Sequence, residues 1–282
     1  MTPKTTLIDV GELASWPPQE LLIVDCRFAL ADPEQGWRDY LAGHIPGAVH
    51  ASLDRDLSDL SRQAEGLGRH PLPHEPAFNA LLASWGWQEG MQVVCYDAAG
   101  GALAAARLWW MLRLVGVSQV AVLDGGYAAW LAAGLPVETG AAVPSPPSTP
   151  SVHYDPWQLL FDPAVLEDMN GPLIDARAAP RYRGDVEPLD RVAGHVPGAL
   201  NRPFADNLGE DGRFKPAAQL REEFADLLGT NPPAAVIHMC GSGVTACHNL
   251  LAMEHAGLHG SRLYAPSWSG WVSNPARPVA TD

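Results

Sequence analysis

Gly43-His44-Ile45-Pro46-Gly47-Ala48 returns, with a single substitution, as Gly194-His195-Val196-Pro197-Gly198-Ala199. Upstream, Leu22-Ile23-Val24-Asp25-Cys26-Arg27 is echoed by Pro172-Leu173-Ile174-Asp175-Ala176-Arg177. Asp25 precedes His44 by 19 residues, and Asp175 precedes His195 by 20. Two words recurring at matched spacing mark a duplicated unit rather than a coincidence of short strings. The chain therefore reads as two similar domains, residues 1–140 and 152–282. Between them Gly140-Ala141-Ala142-Val143-Pro144-Ser145-Pro146-Pro147-Ser148-Thr149-Pro150 is Pro/Ser-rich with no core-facing period, so residues 141–151 read as an extended linker.

Each half repeats one order of elements. A first strand (Leu21 to Val24; Leu173 to Ile174) is followed by a short second one after the His-Pro-Gly word. Next come an amphipathic helix (Ala77 to Trp85; Ala217 to Leu228), a third strand (Gln92 to Tyr96; Ala235 to Met239) and a long helix (Leu103 to Val115; Val244 to Ala256). A fourth strand (Val120 to Leu123; Arg262 to Tyr264) precedes a closing aromatic helix. Strands alternating with helices predict an α/β fold, each domain a mainly parallel sheet covered by helices on both faces.

The third strand of the second half runs into Cys240-Gly241-Ser242-Gly243-Val244-Thr245 and then a helix-compatible run. A cysteine at the end of a buried strand is ordinarily a small inert hydrophobe, and Cys26 and Cys95 fit that description. Cys240 differs, because a Gly-rich turn opening a helix directs backbone N–H groups and the positive helix terminus at an anion, which favours thiolate over thiol. Aligning the repeats sets Asp97 opposite Cys240, in a loop, Asp97-Ala98-Ala99-Gly100-Gly101, without a thiol. One half is chemically active, and the other reads as a scaffold.

The 282 residues carry 18 basic and 32 acidic side chains, a net charge of −14. That field repels phosphate backbones and anionic lipid, so neither nucleic acid nor membrane is an expected partner. An anionic substrate must then be met by a local basic cluster. No run of about 18 apolar residues occurs, and Met1 to Leu7 lacks the apolar core of a secretion signal. The four cysteines, at 26, 95, 240 and 247, form no CxxC pair and no metal-ligand spacing; no metal or cofactor is expected, and a reducing cytoplasm fits best.

The duplicated unit, the Gly-His-Ile/Val-Pro-Gly-Ala words, the Asp97-for-Cys240 asymmetry and the Cys240–Thr245 loop together resemble the tandem-domain rhodanese-like sulfurtransferases. Within that family the loop is similar to that of the 3-mercaptopyruvate sulfurtransferases. The resemblance implies two tandem rhodanese-like domains and a small-molecule sulfur donor. The Cys240 thiolate would take the donor's sulfur as a persulfide and release pyruvate, and a thiol acceptor such as thioredoxin, or cyanide, would remove the outer sulfur.

The resemblance also assigns roles by position. Ser242 matches a serine that relays a proton to the departing enolate, His70 in Arg69-His70-Pro71-Leu72-Pro73 matches its partner, and Asp54 in Ser52-Leu53-Asp54-Arg55 matches the acid behind it. These three would form a triad assembled across the domain interface. His74 competes with His70, while His44 and His195, duplicated in the inactive half, read as structural. Gly241, Gly243, Val244 and Thr245 would complete the binding loop. Arg181 and Arg191 are the positions matched to a carboxylate clamp, with Arg183 a neighbour in sequence; guanidinium forks suit a carboxylate. Cys247, seven residues after Cys240, reads as packing.

Three competing chemistries are weighed by particular residues. Thiosulfate:cyanide sulfurtransferases generally carry basic side chains in the loop, and Gly241 and Ser242 are neutral. A cysteine phosphatase needs an arginine six residues after the cysteine, and position 246 is alanine. A non-catalytic sulfur carrier would keep Cys240 without needing Ser242, His70 or the arginines. One departure from the family stands at Tyr264-Ala265-Pro266-Ser267-Trp268, where Asp-Gly-Ser-Trp is usual and where the first half keeps Asp124-Gly125-Gly126-Tyr127. Pro266 fixes φ and removes a donor, so the turn there is expected to differ.

Overall fold

The computed structural model describes residues 1–142, 146–167 and 171–281. The chain divides into two compact units. The first comprises Met1–Asp59, Leu72–Asp155 and Glu210–Arg213; the second comprises Leu60–Pro71, Pro156–Gly209 and Phe214–Asp282. Residues 143–145 of the Pro/Ser-rich run lie outside the described residues, and its flanks at 141–142 and 146–151 hold no helix or strand.

In the first unit β1 (Leu7–Ile8), β2 (Leu21–Asp25), β3 (Val49–His50), β4 (Gln92–Tyr96) and β5 (Val120–Leu123) form one sheet in the order β1-β5-β4-β2-β3. In the second, β6 (Leu159–Leu160), β7 (Leu173–Asp175), β8 (Leu200–Asn201), β9 (Ile237–Met239) and β10 (Arg262–Tyr264) follow the same plan, β6-β10-β9-β7-β8. Every ladder is parallel. The edge strands β1 and β6 extend the four-strand reading of each half to five; at two residues each they are too short to show a period of two.

Alternation along the strands fills both faces. Ile23, Val94, Tyr96, Ala121 and Leu123 join one cluster with Val10, Leu13 and Trp130, while Leu22, Val24, Val93, Cys95 and Val122 point the other way and are also buried. In the second unit Leu173, Ile237, Met239 and Tyr264 pack with Trp268 and Trp271, leaving Ile174, His238 and Leu263 on the opposite, equally buried face. The helices after β4 and β9, Ala105–Leu114 and Ala246–His255, are buried on nearly every side, as expected of helices without a solvent face. Helix Ala217–Leu228 keeps an outer face and buries Leu220, Phe224 and Leu228 at i, i+4, i+8.

The repeated words now have a physical reading. Asp25, at the carboxyl end of β2, grips Arg27 through Nε and Nη2, and the same Nη2 donates to the Gly43 carbonyl at 2.7 Å. Asp175, Arg177 and the Gly194 carbonyl repeat this, again at 2.7 Å. His44 bonds the Tyr40 carbonyl and stacks on the Tyr40 ring at 4.0 Å; His195 bonds the Tyr182 carbonyl and stacks on Tyr182 at 3.8 Å. The matched Asp-to-His spacing is thus the length of chain needed to close this buried lock. The two histidines fasten the word to a later segment through paired backbone bonds with Glu138 and Ala280.

Candidate active site

In the second unit β9 stops at Met239 and the helix begins at Ala246, so the six residues from Cys240 to Thr245 cross the carboxyl end of the sheet. Parallel α/β sheets place ligands at that end. Gly243 turns the loop at φ 76°, a left-handed conformation suited to glycine. The loop is strapped to the turn that follows β10. The Cys240 N–H donates to Ser267 Oγ at 3.1 Å, the Cys240 carbonyl accepts from the Trp268 N–H at 2.9 Å, and the Gly241 carbonyl accepts from the Ser269 N–H at 2.9 Å. On the far side the Cys247 thiol donates to the Gly243 carbonyl at 3.4 Å. Cys240 itself is 1% exposed.

Backbone N–H groups of Gly241, Ser242, Val244 and Thr245 make no hydrogen bond among the described residues. The sister loop shows what such a cradle holds. In the first unit the buried Asp97 carboxylate accepts from the N–H groups of Ala99, Gly101, Leu103, Ala104 and Ala105 at 2.8–3.2 Å. That loop supplies its own anion. Where Asp97 is replaced by Cys240, a shorter side chain, the donors stay open to an anion carried by the sulfur.

The turn after β10 does differ from its sister. Pro266 sits at φ −62°, whereas Gly125 stands at φ 79°. Ser267 adopts φ 52°, the one non-glycine residue with positive φ among the described residues, and Gly126 holds the equivalent place at 57°. The Ser267 hydroxyl offsets the cost of that backbone by donating to the Tyr264 carbonyl while accepting from Cys240.

Sequence order puts His70 in the first half, yet Leu60–Pro71 packs as part of the second unit. Gly68, at φ 85°, lets this segment approach the Pro266 carbonyl so closely that a Cβ there would lie 2.4 Å from it. The Arg69 N–H then bonds Ser269 Oγ at 2.9 Å. Pinned in this way, His70 sets its Nδ1 at 2.8 Å from Ser242 Oγ, both side chains buried. A serine hydroxyl so held can pass a proton to a group at the sulfur. His74, the competitor, stands at the N-cap position of helix Glu75–Ser84 without a side-chain capping bond and is exposed. Asp54 lies half-buried on the turn after β3, in the first unit.

Of the two arginines expected to clamp a carboxylate, the structure brings Arg181 to the loop and turns Arg191 elsewhere. Arg191 Nη2 donates to the carbonyls of Val272 and Ser273 at 2.7 and 3.1 Å, capping the chain after helix Ser267–Trp271. Arg183 pairs with Asp185 at the surface. The second cation at the loop is Arg69, which sequence reasoning passed over. A Cβ on Gly241 would lie 2.9 Å from Arg69 Nη2 and 3.5 Å from both Arg181 Nη atoms. Glycine at 241 leaves that space open, and Arg69 would have been found by asking what accompanies His70 once Leu60–Pro71 is fixed beside the loop.

Asp190 spans both guanidiniums: one oxygen forms an ion pair with Arg69 Nη1, and the other lies 3.3 Å from Arg181 Nη2. Glu187 takes the remaining side of Arg181 at 2.7–3.2 Å and reaches Arg177 at 3.4 Å. Burial pushes the Glu187 carboxyl up, and the bond from Arg181 with two backbone N–H groups outweighs it, so the group is held below the ordinary carboxylate range. Among the described residues no cluster of His, Cys, Asp and Glu could hold a metal ion, and no helix is long and apolar enough to cross a membrane.

Comparison with known proteins matches this architecture. A family model described as "Rhodanese-like domain" matches residues 9–133 and again 159–274. The probable 3-mercaptopyruvate sulfurtransferase of Pseudomonas aeruginosa is 51% identical over 268 residues, 93% of each chain. A putative thiosulfate sulfurtransferase of Mycobacterium tuberculosis is 40% identical, over 97% of this chain and 96% of its own. The solved structure of 3-mercaptopyruvate sulfurtransferase from Leishmania major superposes with a TM-score of 0.83 at 31% identity, covering 95% of this chain and 75% of that one. With the domain matched twice and relatives similar along almost their whole length, the chain belongs to the rhodanese-like domain family.

Proposed function

We propose that the protein moves sulfane sulfur from 3-mercaptopyruvate to a thiol acceptor through a persulfide on Cys240. The observation that carries this reading is the 2.8 Å contact between His70 and Ser242, two residues from the sulfur. When the Cys240 thiolate attacks the donor's sulfur, the carbon–sulfur bond breaks and its electron pair leaves as the enolate of pyruvate. A carbon leaving group gains from a proton at C3, and a serine hydroxyl hydrogen-bonded to an imidazole supplies one. Sulfite leaving from thiosulfate needs no such proton.

The donor's sulfur then remains on Cys240 as a persulfide, Ser242 regains its proton through His70, and pyruvate departs. Open N–H groups of the loop favour first the thiolate and then the persulfide anion. Arg69 and Arg181 receive the carboxylate, and Arg191 is a structural residue in this reading. Asp54 keeps the place the resemblance gives it, as the acid behind the histidine. In the second step an acceptor thiolate attacks the outer sulfur, breaks the sulfur–sulfur bond and restores the Cys240 thiolate. A dithiol protein such as thioredoxin fits, since its second thiol then expels sulfide and leaves a disulfide. The half spanning residues 1–140, with Asp97 in its own cradle, is the one without a catalytic cysteine, 141–151 the linker and 152–282 the half that bears the nucleophile. Four free thiols fit a reducing cytoplasm.

Specificity constants for 3-mercaptopyruvate and thiosulfate test the reading. Mercaptopyruvate is the preferred donor, and Ser242→Ala lowers its turnover by about 100-fold while changing thiosulfate turnover only a few-fold. Asp54→Asn follows the same pattern. Mass spectrometry after incubation with donor shows one added sulfur on the Cys240 peptide; an added sulfur on Cys247, or equal losses with both donors in Ser242→Ala, defeats the proposal.

A further inference from the structure

The two arginines at Gly241 already have a carboxylate between them. Asp190 takes Arg69 by Nη1 and Arg181 by Nη2, whereas Arg69 Nη2 and Arg181 Nη1 make no hydrogen bond among the described residues. Those two unengaged groups lie 2.9 and 3.5 Å from the Cβ position of Gly241. The acid side chain is 5% exposed and the arginines 25% and 19%, so the carboxylate sits behind and the cations face outward. Asp190 is itself fixed, its N–H donating to Glu187 Oε1 at 3.0 Å.

Arg69, Arg177 and Arg181 are tied to Asp175, Glu187 and Asp190 in one connected set. Three guanidiniums meet three carboxylates, and the set is neutral. A neutral pair of forks with donors free on one edge suits a ligand whose recognition is bidentate hydrogen bonding with a single charge. A dianion depends more on net positive charge, and here that charge is cancelled beneath the site.

We infer that Asp190 is the donor-selecting residue of this site: by pairing with Arg69 Nη1 and Arg181 Nη2 it holds both guanidiniums beside Gly241 and leaves Arg69 Nη2 and Arg181 Nη1 for a ligand there. It also removes the surplus charge that a dianion would need, so that a monoanionic 2-oxo acid is taken in preference to thiosulfate. The inference rests on the donor reading given above and adds the cause of the preference.

The test compares specificity constants of the full-length protein for 3-mercaptopyruvate and thiosulfate, with cyanide as acceptor. Asp190→Asn keeps the shape and adds one net positive charge to the site. It is expected to raise the thiosulfate-to-mercaptopyruvate ratio by about tenfold or more at low salt, with the gain shrinking as sodium chloride is added. Asp190→Glu, which restores the charge, is expected to return the ratio to within about threefold of the wild type. An unchanged ratio in an Asp190→Asn protein with a normal melting curve overturns the inference, as does an equal shift in Asp190→Glu.

If Asp190→Asn does not fold, competition on the wild-type protein decides. Pyruvate should inhibit at lower concentration than sulfate, and the reverse order refutes the role of Asp190. Failure of the underlying reading looks different, since the wild type would itself prefer thiosulfate or form no persulfide from mercaptopyruvate.

Discussion

Replacing Asp97 by alanine should unsettle the first unit far more than a surface loop change would. Its carboxylate receives five backbone N–H groups, from Ala99 and Gly101 on Oδ1 at 2.8 and 2.9 Å and from Leu103, Ala104 and Ala105 on Oδ2 at 3.0–3.2 Å. The side chain is wholly buried. A buried donor left unsatisfied costs about 1–3 kcal/mol, and a water entering the vacated space satisfies about two of them. The three remaining donors put the loss at about 3–9 kcal/mol, beyond the usual range for one substitution. Burial also pushes the Asp97 carboxyl above its ordinary range despite the five donors, so the charge is not free of cost. Asp97→Asn, which keeps an oxygen for some of the donors, should lose less.

Urea unfolding at neutral pH followed by tryptophan fluorescence gives the loss. Formate supplies the missing carboxylate: at about 100 times its dissociation constant it should return about 2.7 kcal/mol to Asp97→Ala and leave the wild type unmoved. A variant within about 1 kcal/mol of wild type, or formate stabilising both proteins alike, refutes the picture of a cradle filled by its own side chain.

His238 lies wholly buried with neither ring nitrogen bonded, and burial pushes its pKa down to about 3. The unfolded chain binds a proton near pH 6.5 and the folded one does not. Stability is therefore lost as pH falls through 6.5 toward 3, at up to about 1.4 kcal/mol per unit; His238→Leu should flatten that part of a stability–pH curve. Glu223 behaves as a depressed carboxylate. Burial raises it, and bonds from Lys215, Arg202 and Gln219 outweigh burial and hold it at about 2. Its contribution is full above the unfolded value near 4.5 and lost as pH falls toward 2, about 1 kcal/mol after solvent screening, and Glu223→Gln should remove it along with its salt dependence. At Ser267, alanine keeps the positive φ and loses the bond to Cys240, whereas glycine loses only the bond. Thermal melts should therefore show Ser267→Ala less stable than Ser267→Gly by about 1 kcal/mol.

The inner strands and the buried helices were legible because their apolar runs are long enough to show, and the Asp-to-His spacing was legible because the same lock is built twice. What escaped reading has physical causes. The strands β1 and β6 contribute two residues each, and their place at the sheet edge is set by partners rather than by pattern. Arg69 sits in a loop with no period, and its direction is fixed by a bond to Ser269, 200 residues away. Sequence position matches Arg191 to a carboxylate, whereas the carbonyls of Val272 and Ser273 claim it. Local sequence shows that a guanidinium is present; which acceptor it meets belongs to the fold.

Leu60–Pro71, which comes from the first copy of the repeat and is housed with the second, ties the history of the chain to its wiring. Cutting at the Pro/Ser-rich run would release a fragment that keeps Cys240 and Ser242 but surrenders Arg69 and His70 to the other piece. Such a fragment could still offer a sulfur-carrying cysteine, though without the imidazole beside Ser242. With this strap housed in the other unit, deleting the half that lacks Cys240 would also delete what stands beside Ser242. A gene of this design is retained whole or loses the imidazole beside Ser242.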